Sequence, residues 1–204
     1  MTDVRPIVFV VDDDRSVRNS LALLIESAGW QPEVFSSAQE FLARPPTSGP
    51  SCMLLDVFLP DLHGCELQQQ LADRTEMPII VMSGHADVPV TARAMKAGAM
   101  DFFSKPLAID GLLIAIRDAI DRSRAAIGSA QFMRALVENY ASLSPRQREV
   151  MALVVGGRLN KQAGGELGIS EITVKAHRGK VMRKMNAESL PDLVRMADRL
   201  AAHR

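Results

Sequence analysis

Apolar residues follow two different periods along the first part of the chain, and the two periods alternate. Short apolar runs predict five strands, near 7–11, 32–35, 52–56, 78–82 and 100–104. Between and after these runs, apolar residues recur at helical spacing and predict five helices, near 15–28, 37–43, 65–72, 87–97 and 109–122. Alternating strands and helices predict an α/β fold, a doubly wound five-stranded parallel sheet covered on both faces.

The pattern changes after residue 122. Residues 123–142 have weak helical periodicity, interrupted at Gly128-Ser129, and predict a partly helical linker. Ser144, Pro145 and Gln147 form a capping-box pattern that begins a helix. Strand signals do not follow, and glycine or asparagine breaks predict four short helices. We therefore expect three parts: a domain at 1–122, a linker at 123–142 and an all-α domain at 143–204.

Composition narrows the class of protein. With 47% hydrophobic residues, the chain of 204 residues can bury two cores. It has no apolar stretch of the roughly 18 residues that a membrane span needs, and no signal-peptide pattern at its start, so we expect a cytoplasmic protein without a membrane partner. Cys52 and Cys65 lack a CxxC partner and are expected to be buried free thiols.

The chain has a net charge of +0, but its N-terminal part is acidic and its C-terminal part is basic. Residues 1–122 carry 10 Lys and Arg against 17 Asp and Glu, whereas residues 143–204 carry 12 against 6. This division indicates two domains with different partners, and the basic part is a candidate for nucleic-acid binding. The alternative is chance segregation on two ordinary surfaces.

Polar groups follow four of the predicted strands. Asp12 and Asp13 come after the first strand, Asp56 after the third, Ser83 after the fourth and Lys105 after the fifth. Clustered carboxylates repel each other unless a cation such as Mg²⁺ neutralises them. Lysine and serine could then hold phosphoryl oxygens, and Asp56 could act as a carboxylate nucleophile. Alternatively, the first acids simply cap the following helix, a role that we assign to Asp14.

These motifs together resemble the receiver domain of two-component response regulators, a flavodoxin-like fold, over residues 5 to about 122. The resemblance implies that Asp56 accepts a phosphoryl group from a phosphohistidine on a sensor histidine kinase. It implies a Mg²⁺ (or Mn²⁺) site with Asp13 as a direct ligand, Asp12 acting mainly through water, and the carbonyl of Phe58. It also implies a cis Lys105-Pro106 bond, and a switch role for Phe102 unless that ring is merely core. His85 is expected to be a loop residue, with control of water access to the acyl phosphate as the alternative.

The basic end contains a helix, a short turn at residues 168–170 and a second helix, the spacing of a helix-turn-helix. On a helical wheel, Val174, Val181 and Met185 share one face and must pack inward. The opposite face is basic, with small residues at its centre: Lys175, Ala176, Gly179, Lys180 and Arg183. Small residues let a helix enter the major groove while long cations reach phosphates and base edges.

Residues from about 143 to 200 resemble the LuxR-type DNA-binding domain, which completes the architecture of the FixJ/NarL class, most similar to the FixJ type. The resemblance implies base-facing roles for Lys175, Ala176, Gly179 and Lys180. It implies phosphate contacts by Lys161, Thr173, His177, Arg178, Arg183 and Lys184, although His177 could instead be a packing residue. Two departures concern the operator: Ala163-Gly164 replaces a frequent Ile-Ala pair, and Lys180 a frequent Asn.

The favoured hypothesis is a DNA-binding transcription factor that phosphorylation activates. Its expected partners are a sensor histidine kinase, double-stranded DNA, RNA polymerase and a second copy of the phosphorylated chain. The dimer surface is expected near 87–97 and 100–104. One alternative is a haloacid-dehalogenase-like or other Mg²⁺-dependent phosphatase, against which the lack of room for a substrate cap argues. Another is a constitutive DNA-binding protein whose receiver senses something else.

Overall fold

A computed structural model describes residues 5–84 and 88–203. It divides into an N-terminal unit, Met1–Gly128, and a C-terminal unit, Ser129–Arg204. His85 and Asp87 lie outside the described residues. In the described part of the N-terminal unit, five strands form one sheet: β1 Ile7–Val11, β2 Gln31–Phe35, β3 Ser51–Asp56, β4 Ile79–Ser83 and β5 Asp101–Ser104.

The sheet is parallel throughout, in the order β2-β1-β3-β4-β5, as the alternating pattern predicts. Helices follow the strands in chain order: α1 Arg15–Ser27, α2 Ala38–Ala43, α3 Gly64–Gln70, α4 Val88–Lys96 and α5 Ile109–Ala141. Side chains of β1 alternate between two buried layers. Phe9 and Val11 lie in one with Phe41 of α2, and Val8 and Val10 lie in the other with Ile116 of α5.

Helix α5 is longer than the sequence pattern indicates. It continues through the expected break at Gly128-Ser129 and ends at Ala141. A glycine inside a helix costs only about 1 kcal/mol against alanine. Because the surrounding residues are good helix formers, the helix continues through Gly128-Ser129 despite this penalty. Ser123 is fully buried on α5, where it accepts a hydrogen bond from the backbone N–H of Ser51 (2.9 Å). The limits of the three parts remain a prediction.

The C-terminal unit contains the four short helices that the sequence predicts: α6 Pro145–Val155, α7 Asn160–Leu167, α8 Glu171–Met185 and α9 Leu190–Ala202. The capping box at Ser144 and Gln147 is formed as expected. Leu143, Met151, Val181 and other apolar side chains from all parts of this unit make its core.

Both cysteines are free and buried. Burial raises the pKa of the Cys52 thiol to about 12 and also raises the pKa of Cys65, so neither thiol is ionised near neutral pH. None of the helices in the described ranges, not even the 33-residue α5, has the length and apolar character of a membrane span.

Candidate functional site

Four neighbouring strands deliver polar groups to one edge of the sheet. Asp12 follows β1, Asp56 ends β3, Ser83 ends β4 and Lys105 follows β5, and these strands are adjacent in the order β1-β3-β4-β5. The carboxyl ends of parallel strands lie at the same edge, where α/β sheets bind ligands. Asp12 and Ser83 are fully buried there, and Asp56 is 6% exposed.

The ammonium of Lys105 joins the two buried carboxylates. Its Nζ donates hydrogen bonds to Oδ2 of Asp12 at 2.6 Å and to Oδ2 of Asp56 at 3.0 Å. Burial raises the pKa of Asp12 above its ordinary value, although the hydrogen bond from Lys105 opposes the rise. Burial alone would lower the pKa of Lys105, but the hydrogen bonds to both carboxylates outweigh burial and raise it. The lysine therefore stays charged across the physiological range.

Three carboxylates at this edge are arranged so that they could share a cation. One oxygen each from Asp12, Asp13 and Asp56 lie within 4.8 Å of one another, and Asp13 is exposed to solvent. An all-oxygen donor set with open access fits a hard divalent cation such as Mg²⁺ or Mn²⁺. The backbone of Phe58 lies beside them, since its N–H points at Oδ1 of Asp56 at 3.5 Å.

Two other expectations about this edge can be compared with the structure. The Lys105-Pro106 bond is cis, which confirms that prediction. Phe102 is half-buried and packs against the layer that contains Val90 of α4. Its position is compatible with either a core role or a switch role.

The remaining acids of the motifs cap helices. Asp14 is the N-cap of α1, and its Oδ1 accepts from the N–H groups of Ser16 (2.7 Å) and Val17 (3.3 Å), as predicted. Asp61 accepts from the N–H groups of Ala38 and Gln39 at the start of α2. Both carboxylates therefore stabilise the scaffold of the acidic edge.

Gly64, the first residue of α3, packs directly against this edge of the sheet. A Cβ at this position would lie 2.4 Å from the carbonyl oxygen of Asp56 and 2.9 Å from Cα of Val57. The N–H of Gly64 also donates to the carbonyl of Val57 at 2.8 Å. The start of α3 thus holds the backbone of Asp56 at a distance that only glycine permits. Sequence alone gives no signal for such a tertiary approach beyond the glycine itself.

The basic face of the C-terminal unit lies on α8. Val174, Val181 and Met185 are buried on its inner side. The outer side is solvent-exposed and carries half of the predicted base- and phosphate-contacting residues, namely Lys175, Ala176, Gly179, Lys180 and Arg183. Lys175 also pairs with Glu171 one turn earlier, at 3.0 Å.

Other predicted phosphate-contacting residues lie around this face. Lys161 is exposed on α7, and the hydroxyl of Thr173 is hydrogen bonded to that of Ser170 at 2.8 Å. Arg178 reaches Oδ1 of Asn160 at 3.5 Å.

Two predicted phosphate-contacting residues lie apart from the basic face. Lys184 donates to the carbonyl of Ser142 at 2.6 Å, so its ammonium is held by the chain before α6. His177 is half-buried, and its Nδ1 lacks a hydrogen-bond partner among the described residues, which suits the packing alternative better.

The packing of this unit requires glycine at one of two positions in and before α8, and not at the other. A Cβ at Gly164 would lie 2.8 Å from the carbonyl oxygen of Ile169, so the turn before α8 requires glycine where the resembling family often has alanine. A Cβ at Gly179 would meet nothing within 4 Å. The packing of the unit therefore does not require glycine at the centre of the basic face.

Each of the two units matches a known protein family. Residues 8–117 match the response regulator receiver domain, and residues 141–197 match the luxR family of bacterial regulatory proteins. The chain is 44% identical to response regulator protein TodT of Pseudomonas putida over 201 residues, which cover 98% of this chain and 88% of TodT. It is 40% identical to transcriptional regulatory protein FixJ of Rhizobium meliloti over 198 residues, covering 97% and 96% of the two chains.

Solved structures agree with this comparison. The response regulator StyR is 40% identical and superposes with a TM-score of 0.86, over 96% of this chain and all of StyR (100%). Full-length FixJ from B. japonicum is 41% identical, with a TM-score of 0.57 over 96% of this chain and 97% of FixJ. The chain therefore belongs to the response regulators that combine a receiver domain with a LuxR-family DNA-binding domain.

Proposed function

We propose that the chain is a transcription factor whose DNA binding is controlled by phosphorylation of Asp56, with a sensor histidine kinase as phosphoryl donor. The observation that carries this proposal is the contact of Lys105 with Asp56 beside two further carboxylates. An acid that is 6% exposed, paired with an ammonium and close to a potential cation site suits nucleophilic chemistry on phosphorus.

In the proposed reaction, one carboxylate oxygen of Asp56 forms a bond to phosphorus while the P–N bond of the kinase's phosphohistidine breaks. The leaving imidazole takes up a proton from solvent, and an acyl phosphate remains on Asp56. Lys105 then exchanges part of its contact with the carboxylates for a phosphoryl oxygen, and the hydroxyl of Ser83 donates to another. Beyond this self-directed transfer and later hydrolysis, we propose no enzymatic turnover.

A divalent cation belongs to the proposal because the donor set fits one. Asp13 would bind Mg²⁺ or Mn²⁺ directly, Asp12 mainly through water, and Asp56 and the carbonyl of Phe58 would complete the protein ligands. The cation would neutralise the charge gathered between the carboxylates and the phosphoryl group.

The output of the proposed switch is a dimer that binds DNA through α8. Engagement of Ser83 and Phe102 would favour a dimer surface on α4 and β5, and two basic faces would contact half-sites about one helical turn apart. RNA polymerase is the proposed downstream partner, and a cytoplasmic location follows for a protein that meets both a kinase and chromosomal DNA. The family match supports a regulator over the phosphatase alternative.

Labelling with acetyl phosphate and Mg²⁺ tests the proposal without the kinase. We expect stoichiometric labelling of the wild type, and none of Asp56→Asn, because the amide cannot act as the nucleophile. EDTA should remove the labelling and added Mg²⁺ or Mn²⁺ restore it. Asp121→Asn is the matched control, since this acid is 62% exposed on α5. Equal labelling of Asp56→Asn and wild type would show that the phosphoacceptor lies elsewhere.

A further inference from the structure

One large apolar side chain on the basic face of α8 is mostly exposed to solvent. Ile172 is 79% exposed, more than any other large apolar side chain among the described residues of the C-terminal unit. Burying an isoleucine is worth about 1.5–3 kcal/mol, and the unit gains almost none of this here. Isoleucine is also a weaker helix former than alanine or lysine. Neither packing nor helix propensity therefore calls for this residue.

Ile172 lies at the N-terminal end of the outward face of α8. Ile172 precedes Lys175, Ala176, Gly179 and Arg183 by three, four, seven and eleven residues, the spacings of one helix face. The exposed fractions agree with this geometry, since the opposite side holds the buried residues Val174, Val181 and Met185. The side chain therefore points in the same direction as the cations.

The start of α8 is stabilised without Ile172. Ser170 caps the helix by accepting from the N–H of Thr173 at 3.1 Å. The apolar contact that brackets a helix start joins the residue before the N-cap to the fourth helical residue. Here those residues are Ile169 and Val174, which share one cluster.

We propose that Ile172 is a specificity-determining residue that contacts the C5-methyl group of thymine in the major groove. The proposal rests on the proposed DNA-binding function of α8 and adds a base preference to it. N-terminal residues of a recognition helix lie against base edges. Thymine is the base that presents an apolar group there. On this face Ala176 is short and Gly179 has no side chain, so Ile172 supplies the branched apolar surface.

The surroundings favour DNA over a protein partner for this side chain. Lys175, Lys180 and Arg183 follow it along the helix, and all three are exposed. Lysine is depleted from the cores of protein–protein interfaces, whereas clustered cations match the phosphates that line a groove. An apolar side chain at the start of a cationic helix face is thus placed to meet a base, while the cations that follow hold the backbone.

Replacement of thymine by deoxyuridine tests the contact directly, because deoxyuridine lacks only the methyl group. Phosphorylated wild-type protein would first select its half-sites from a pool of random duplexes. Each thymine would then be replaced singly, and binding measured at fixed salt. We expect one replacement per half-site to weaken wild-type binding about four-fold, the effect of one buried methyl group. Ile172→Ala should bind the thymine and deoxyuridine duplexes equally, and Ile172→Val should retain part of the preference.

Two control variants separate this contact from general losses. Leu159→Ala removes another exposed apolar side chain (70% exposed) of the same unit and should keep the four-fold preference. Lys175→Ala should weaken binding to both duplexes while leaving their ratio unchanged.

Three results would overturn the assignment: half-sites without thymine, a wild type indifferent to every replacement, or an unchanged ratio in Ile172→Ala. Failure to select any duplex would instead contradict the proposed function itself, and this inference with it.

Discussion

The two units of the chain hold their functional side chains in different ways. In the receiver unit, Lys105 contacts an aspartate 93 positions away, and the site exists only where four strand ends meet. In the DNA-binding unit, one helix of 15 residues carries most of the basic face, and its side chains point into solvent. Asp12, Asp56 and Ser83 of the first site are buried, whereas the second site is open, as a large partner requires. Tertiary packing should therefore control the first site much more strongly than the second.

Gly64→Ala is the substitution with the largest expected effect, and it tests the dependence of the acidic edge on packing. The added methyl group would lie 2.4 Å from the carbonyl oxygen of Asp56, so the backbone at Asp56 must shift. We expect a loss of about 2–3 kcal/mol in the free energy of unfolding, measured with urea, and slower labelling by acetyl phosphate. Gly84→Ala is the matched control, since its added methyl group would meet nothing within 4 Å among residues 5–84 and 88–203. Similar losses in both variants would contradict the packing argument.

Lys175→Ala tests whether a single exposed side chain of α8 can lower DNA affinity without changing the stability of the protein. We expect DNA affinity to fall about ten- to hundred-fold, because one side chain with a proposed base contact is lost, while stability and labelling stay unchanged. Fluorescence anisotropy over a salt series measures the loss and its ionic part. Arg195→Ala is the control, a 69% exposed arginine on α9 that should have no effect. An equal fall in both variants would indicate non-specific attraction to positive charge.

Gly179→Ala has the smallest expected effect. Whereas Gly64→Ala should lower the stability of the protein, Gly179→Ala should raise it. Its added methyl group meets nothing within 4 Å, so the helix should gain about 0.5–1 kcal/mol in stability. DNA affinity should nevertheless fall, because the methyl group stands where the groove approaches. Thermal unfolding measures the change in stability, and fluorescence anisotropy measures the change in DNA affinity, on the same sample. A variant that is more stable and binds as tightly as wild type would remove Gly179 from the interface.

The same contrast explains how much the sequence could predict. The strand-end acids, Lys105 and the face of α8 followed from periodicity, because parallel strands align their carboxyl ends and a helix turns at a fixed angle. Contacts between distant segments did not follow. Nothing local to Lys184 indicates that Ser142 holds it, and nothing local to Gly64 reveals the carbonyl of Asp56.

The continuity of α5 was missed for an energetic reason. The Gly128-Ser129 pair indicates a break, but a penalty of about 1 kcal/mol is too small to end a helix that good helix formers continue on both sides. A local penalty of this size predicts where a helix can end. Whether the helix does end there depends on the helix propensity of the residues on both sides.

The account depends most on the link between Asp56 and DNA binding. The direct measurement is the Kd for a selected duplex, at fixed salt, of wild type and Asp56→Asn, each with and without acetyl phosphate and Mg²⁺. We predict that phosphorylation tightens binding of the wild type at least about ten-fold, within the usual range of coupling between two sites, and leaves Asp56→Asn unchanged. A single Kd in all four conditions would contradict the account.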